Sequence, residues 1–198
     1  AAVSPAAIAA AAIAAVGIAL MKVNQAMERL DEVAKKSKSL GISGQDLMGF
    51  QHAAELAGVS AGGLTTAMQK MQKGIGEAMG GTGLAKDALE KMGIEVQAFG
   101  ALSPDEQFLQ LADSIAAVQN PSERAAMATA VFGRAGADML PMLLQGREAI
   151  EGQMDALKGL QGELSDADFK AIEDANDAWT RVGKAFDGIW NQLAVMLA

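Results

Sequence analysis

Along residues 20–34, and again along 169–197, apolar positions return at alternating steps of three and four, as in a helix buried along one stripe. Leu20, Val23, Met27, Leu30 and Ala34 form the first stripe. Phe169, Ile172, Asn176, Trp179, Gly183, Phe186, Trp190, Leu193 and Leu197 form the second. Between them lie short apolar runs cut by glycine and proline. The pattern predicts an all-α fold with a long N-terminal helix, a cluster of short Gly- and Pro-punctuated helices, and a long C-terminal amphipathic helix. Three regions follow: 1–40, apolar and then amphipathic; 41–163, the short-helix cluster; and 164–198, the C-terminal helix. Stripes of this length on so Ala-rich a chain predict an elongated, oligomeric assembly.

Helix punctuation is dense. Ser4-Pro5 sets a cap and a proline at the first helical position, and Gly41 ends that helix. Asp31–Lys35 and Glu32–Lys36 are acid-before-base pairs of the kind that supports an exposed helix face. Ser43 is placed to cap a helix to about residue 57, and Ser60 another to about residue 79. Four glycines weaken the second, each costing about 1 kcal/mol against alanine. A short helix follows from Thr82 or Gly83 to Met92. Residues 94–101 read as an extended linker pinned by Ile94, Val96 and Phe99. Ser103-Pro104-Asp105-Glu106 has the composition of a capping box, and Asn120-Pro121-Ser122-Glu123 repeats it. Residues 133–136 break the helix begun there, and Pro141 kinks or restarts the next. Residues 147–160 form a polar helix, and Ser165 caps the last one.

Residues 6–21 carry no polar side chain, yet nine of these sixteen are alanine. A spanning helix needs about 20 apolar residues. The run fits a buried helix in an oligomeric bundle. It also fits a membrane-active segment in which Ile8, Ile13, Val16, Ile18 and Leu20 meet lipid. A signal peptide fits least, because no basic stretch precedes it. On the C-terminal stripe, Phe169, Ile172, Trp179, Phe186, Trp190 and Leu193 are candidates for packing between copies, with Asn176 as a register-setting polar position.

Composition narrows the chemistry. A formal charge of −8 opposes phosphate binding, so sequence-specific nucleic-acid recognition is not expected. The absence of cysteine removes disulfides, thiolate metal sites and thiol redox chemistry. Its lone histidine, His52, lacks the partners of a zinc-peptidase or nucleophile–base motif. The glycines of residues 74–86 have neither the spacing nor the preceding strand of a phosphate loop. Carboxylates such as Asp166/Asp168 and Glu173/Asp174 sit at helix starts or on polar faces. The expectation is a protein that is not an enzyme and holds no cofactor and no metal. The Ala-Ala start and the apolar run LAVMLA at the end read as those of a piece of a longer polypeptide.

The run LSPDEQFLQLADSIAAVQNPSERAAMATAVFGRAGADMLPMLLQG (residues 102–146) resembles the shared region of tail tape measure proteins of long-tailed phages and prophages. The likeness extends upstream through SKSLGISGQDLMGFQHAAELAGVS and the Gly-rich link, covering about residues 25–165. FGRAGADMLPML (132–143) is its most specific piece. The resemblance implies a long helical protein in the lumen of the virion tail, made in the host cytoplasm, that sets tail length in assembly. On infection it would be ejected ahead of the genome. Implied partners are copies of itself, tail tube and tail tip proteins, and the host inner membrane. The peptidoglycan-cleaving or peptidase domains that some relatives carry have no counterpart motif here. From a different functional class comes the alternative of a membrane-active, pore-forming helical module that opens a path for DNA.

Overall fold

The computed structural model describes the backbone of residues 5–196 and the side chains of residues 21–160 and 162–181. Every regular element among the described residues is helical. In chain order they are α1 (Pro5–Leu40), α2 (Gly44–Leu56), α3 (Ala61–Met79), α4 (Leu84–Lys91), α5 (Val96–Gly100), α6 (Pro104–Ala117) and α7 (Pro121–Phe132). A 3-10 turn (Gly133–Ala135) leads to α8 (Gly136–Leu143), α9 (Gly146–Gln161) and α10 (Asp166–Met196). Backbone packing divides the chain into two units, residues 36–165 and residues 1–35 with 166–198.

In the 36–165 unit, α3 packs on α4, α7 and α5, α7 packs on α8, and α9 lies against α2 and α6. Phe50, Phe108 and Phe132 are fully buried at its centre. Phe108 meets both others edge-on, with ring centroids 5.2 Å from Phe50 and 5.8 Å from Phe132. Edge-to-face aromatic contacts of this kind add about 0.5–1.5 kcal/mol beyond area burial. Met68, Met71, Met139 and Met142 fill the remaining space, each with no exposed surface. Adaptable thioethers suit gaps between irregularly crossing short helices.

Gly74, expected only to weaken its helix, instead lets helices meet, and so does Gly49. A Cβ on Gly74 of α3 would lie 3.1 Å from Ala85 Cβ of α4, and one on Gly49 of α2 would lie 2.8 Å from Met154 Cγ of α9. Gly62 and Gly76 face open space, and there the expected propensity cost stands uncompensated.

Two local expectations are corrected. Residues 94–101 are not an extended linker, because the Glu95 carboxylate accepts from the backbone N–H groups of Gln97 and Ala98 and so caps the one-turn helix α5. The Ser103–Glu106 capping box does not close. Ser103 makes no side-chain cap bond, and Glu106 turns to Arg147. The caps at Ser43, Ser60 and Asn120 do form, accepting from Asp46, Gly63, and Ser122 and Glu123.

In the other unit, α1 and α10 are joined by a polar contact, with Asn176 Nδ2 donating to Asp31 Oδ2 at 2.9 Å. The same oxygen accepts from Lys35 Nζ at 2.8 Å. Asp31 was expected on an exposed face, but it is only 7% exposed. A partner on α10 explains the difference.

Candidate functional site

The FGRAGADMLPML run (132–143) spans the turn from α7 into α8. Phe132 ends α7 inside the aromatic cluster. Gly133 then takes φ +67°, a left-handed conformation that side chains disfavour. One 3-10 turn later, Gly136 lies against the backbone of α7. Met139, Met142 and Leu143 are buried on the inner face of α8, and Pro141 sits inside it on the exposed side. Pro141 therefore neither ends nor restarts the helix, as the open ladder position is accommodated within a single eight-residue element.

Beside this turn runs a shallow groove of about 530 Å³, between residues 58–63 on one side and residues 135–141 on the other. Gly58, Val59 and Ser60 face Ala137, Asp138 and Pro141 across it. Its lining is glycine and apolar side chains with the Ser60 hydroxyl and the Asp138 carboxylate. Among the described residues no group of His, Asp and Glu is arranged to hold a metal ion. His52 is half-buried in α2.

What is specific in this unit is how its helix ends are sealed. A helix leaves four carbonyls unpaired at its C-terminus, and burial makes them costly. Gln107 is buried and donates from Nε2 to the carbonyls of Phe99 and Leu102, each at 3.1 Å. Gln72 donates to the Leu40 carbonyl at 2.5 Å, and Gln97 to that of Met79 at 3.1 Å. Arg124 places both Nε and a terminal nitrogen on the Val118 carbonyl, at 2.9 and 2.6 Å.

The N-terminus of α9 is held in the opposite sense. Asp113 Oδ1 of α6 accepts the backbone N–H of Arg147 at 2.7 Å. The Arg147 guanidinium pairs with both oxygens of Glu106, at 3.2 and 2.9 Å. It also reaches Asp113 and Glu151, at 3.7 and 3.6 Å. The hydrogen bonds that Arg147 donates to Glu106 raise its pKa above the ordinary value, against the lowering effect of partial burial. These sealing residues carry no sequence signal, because each acts on a helix end remote from its own turn.

Of the residues proposed from the stripes, Phe169 is buried, Ile172 is half-buried and Trp179 is 61% exposed. Phe186, Trp190 and Leu193 lie outside the described side chains. So do Ile8, Ile13, Val16, Ile18 and Leu20, the candidates for lipid contact. Val23 of the N-terminal stripe is 57% exposed, while Ala34 at its other end is buried. No helix of the described residues is long and apolar enough to cross a membrane.

Comparison with family profiles, characterised proteins and solved structures found no match to this chain.

Proposed function

We propose that this chain is a structural, non-catalytic segment of a phage tail tape measure protein, lodged in the tail lumen during assembly and ejected ahead of the genome. The observation that carries the reading is the FGRAGADMLPML run. The residues with the strongest family likeness are also those that build the turn between α7 and α8, through Phe132, Gly133, Gly136 and Met139. Phe132, Gly136, Met139, Met142 and Leu143 of this run are buried, and packing duty at these positions fits a scaffold better than a reaction centre.

The segment is not itself the measuring rod. Fully helical, 198 residues would span about 300 Å at ~1.5 Å per residue, and the breaks fold that length back within residues 36–165. Tail length is set by the whole protein, to which this segment contributes a folded body.

The test is genetic and analytical. Mass spectrometry of purified particles should find peptides of this chain in the tail fraction, and in-frame removal of residues 36–165 from the gene should abolish or misassemble tails. Normal infectious tails lacking the chain would overturn the proposal.

A membrane-active role is the second reading, favoured by the uncharged run of residues 6–21. It predicts dye leakage from anionic liposomes that disappears when those residues are deleted. Leakage unchanged by the deletion removes that role.

A further inference from the structure

We infer that the groove beside the α7–α8 turn, with exposed Leu56 and Leu144 at its rim, is the seat of a basic amphipathic helix supplied by another protein. The inference concerns the 36–165 unit alone and stands without the functional proposal above.

The apolar surface here runs past the groove itself. Buried Val59 and Met139 line the groove, with exposed Ala137 and Pro141 on its α8 side. Leu56 ends α2 two residues before Gly58 and is 60% exposed. Leu144 caps α8 one turn beyond Pro141, on the same side of the helix, and is 42% exposed. Helices α2 and α8 pack on each other, which brings both leucines to the border of one surface. Single exposed leucines are ordinary, but a concave surface with leucines at its rim is where a partner buries apolar area. An open trough does not surround a small ligand on most sides, as such ligands need.

Charge selects the occupant. Glu55 precedes Leu56, and Asp138 lines the groove one turn before Pro141. Both carboxylates are exposed and neither is held by an ion pair or hydrogen bond within the unit. Arg134, one turn before Asp138, is not paired with it. The balance at the groove is acidic, as it is over residues 36–165, where fifteen carboxylates stand against ten bases. A second copy brings the same excess and is repelled. A segment carrying Lys or Arg beside its apolar residues is drawn in.

The fold sets the form of that segment. Every regular element among the described residues is helical, so no strand offers an edge to extend. A docked segment must therefore pair its own backbone groups, as a helix does. Its apolar stripe would cover the groove between Leu56 and Leu144, and its flanking cations would meet Glu55 and Asp138.

The probe is a fluorescein-labelled helix of about 18 residues, built of Leu and Lys at amphipathic spacing and titrated against the full chain at low salt. It should bind saturably, and the same helix with Glu in place of Lys should bind about tenfold more weakly or worse. Leu56→Ser/Leu144→Ser and Glu55→Gln/Asp138→Asn should each weaken binding about tenfold. Asp87→Asn/Glu123→Gln removes equal charge from exposed carboxylates outside the groove and should change binding less than about twofold. All six side chains are exposed, so these variants keep the fold, which circular dichroism checks. Equal weakening by the two charge pairs would mean diffuse attraction to an acidic chain and overturns the site. Absence of saturable binding does so too, as does binding indifferent to Leu56→Ser/Leu144→Ser. Self-association of the free chain that Leu56→Ser/Leu144→Ser abolishes would make a second copy the occupant, and that also overturns the proposal.

Discussion

A Cβ placed on Gly136 would lie 2.1 Å from the carbonyl oxygen of Ala128, so α8 crosses directly against the backbone of α7. Only a residue without a side chain fits there. Gly136→Ala must push two backbones apart beside Phe132 and should destabilise the protein by about 3 kcal/mol or more. Gly152→Ala is the matched control. It lies within α9 and a Cβ there meets nothing within 4 Å, so it should stabilise by about 0.5–1 kcal/mol. Urea unfolding of the two variants gives opposite signs on this account. Equal effects would show that α7 and α8 do not meet at that point.

Gln107 gives a second prediction. Gln107→Leu keeps the volume but withdraws the donor from the Phe99 and Leu102 carbonyls, and should cost about 1–3 kcal/mol. Hydrogen exchange should rise first in residues 96–102. A loss spread evenly over the unit would mean that the amide does not secure α5.

The exposed ion pairs make a prediction about pH. Lys86 and Lys158 have pKa values raised mainly by the hydrogen bonds they donate to Glu90, at 2.7 Å, and Glu163, at 2.8 Å. The folded state thus favours the protonated lysine. Its contribution is complete below the unfolded lysine value and is lost as pH rises through the higher folded value, on the alkaline side of the ordinary lysine range. Solvent screening keeps the stability effect small. NMR titration of the Nζ groups should place both above free lysine, and Glu163→Gln should lower the Lys158 value alone. A Lys158 titration unmoved by Glu163→Gln contradicts the pair.

The contact between Asp31 and Asn176 predicts coupling between α1 and α10. Asp31 is buried, and its second oxygen makes no hydrogen bond, so losing Asn176 leaves the carboxylate further undersatisfied. Asn176→Ala should cost about 1–2 kcal/mol. The pair Asp31→Leu/Asn176→Leu should recover most of it, as buried polar pairs replaced by apolar ones often do. A double-mutant cycle with no coupling would contradict the contact.

The sequence announced what is local. Ser43, Ser60 and Asn120 cap where their side chains can reach their own N–H groups, and Gly41, Gly58 and Gly93 stop helices by adopting positive φ. It did not announce what is remote. Glu106 leaves its box because Arg147, 41 residues on, offers two charged donors in place of one neutral backbone N–H. Gly74 read as a helix weakness because the Ala85 side chain it admits belongs to another helix. The linker reading of 94–101 failed on Glu95, whose carboxylate caps a helix too short to show any period. Asp31 read as solvated because its pair with Lys35 is visible within one helix, while Asn176 lies 145 residues away.

The central claim is that this chain is a folded structural segment carried within a phage tail, and cryo-EM of the intact particle tests it most directly. The account predicts helical density in the tail lumen into which the 36–165 unit fits, with the α7–α8 turn and the Phe50–Phe108–Phe132 cluster recognisable. A lumen occupied throughout by other chains, with this one outside the tail or missing from the particle, would contradict it.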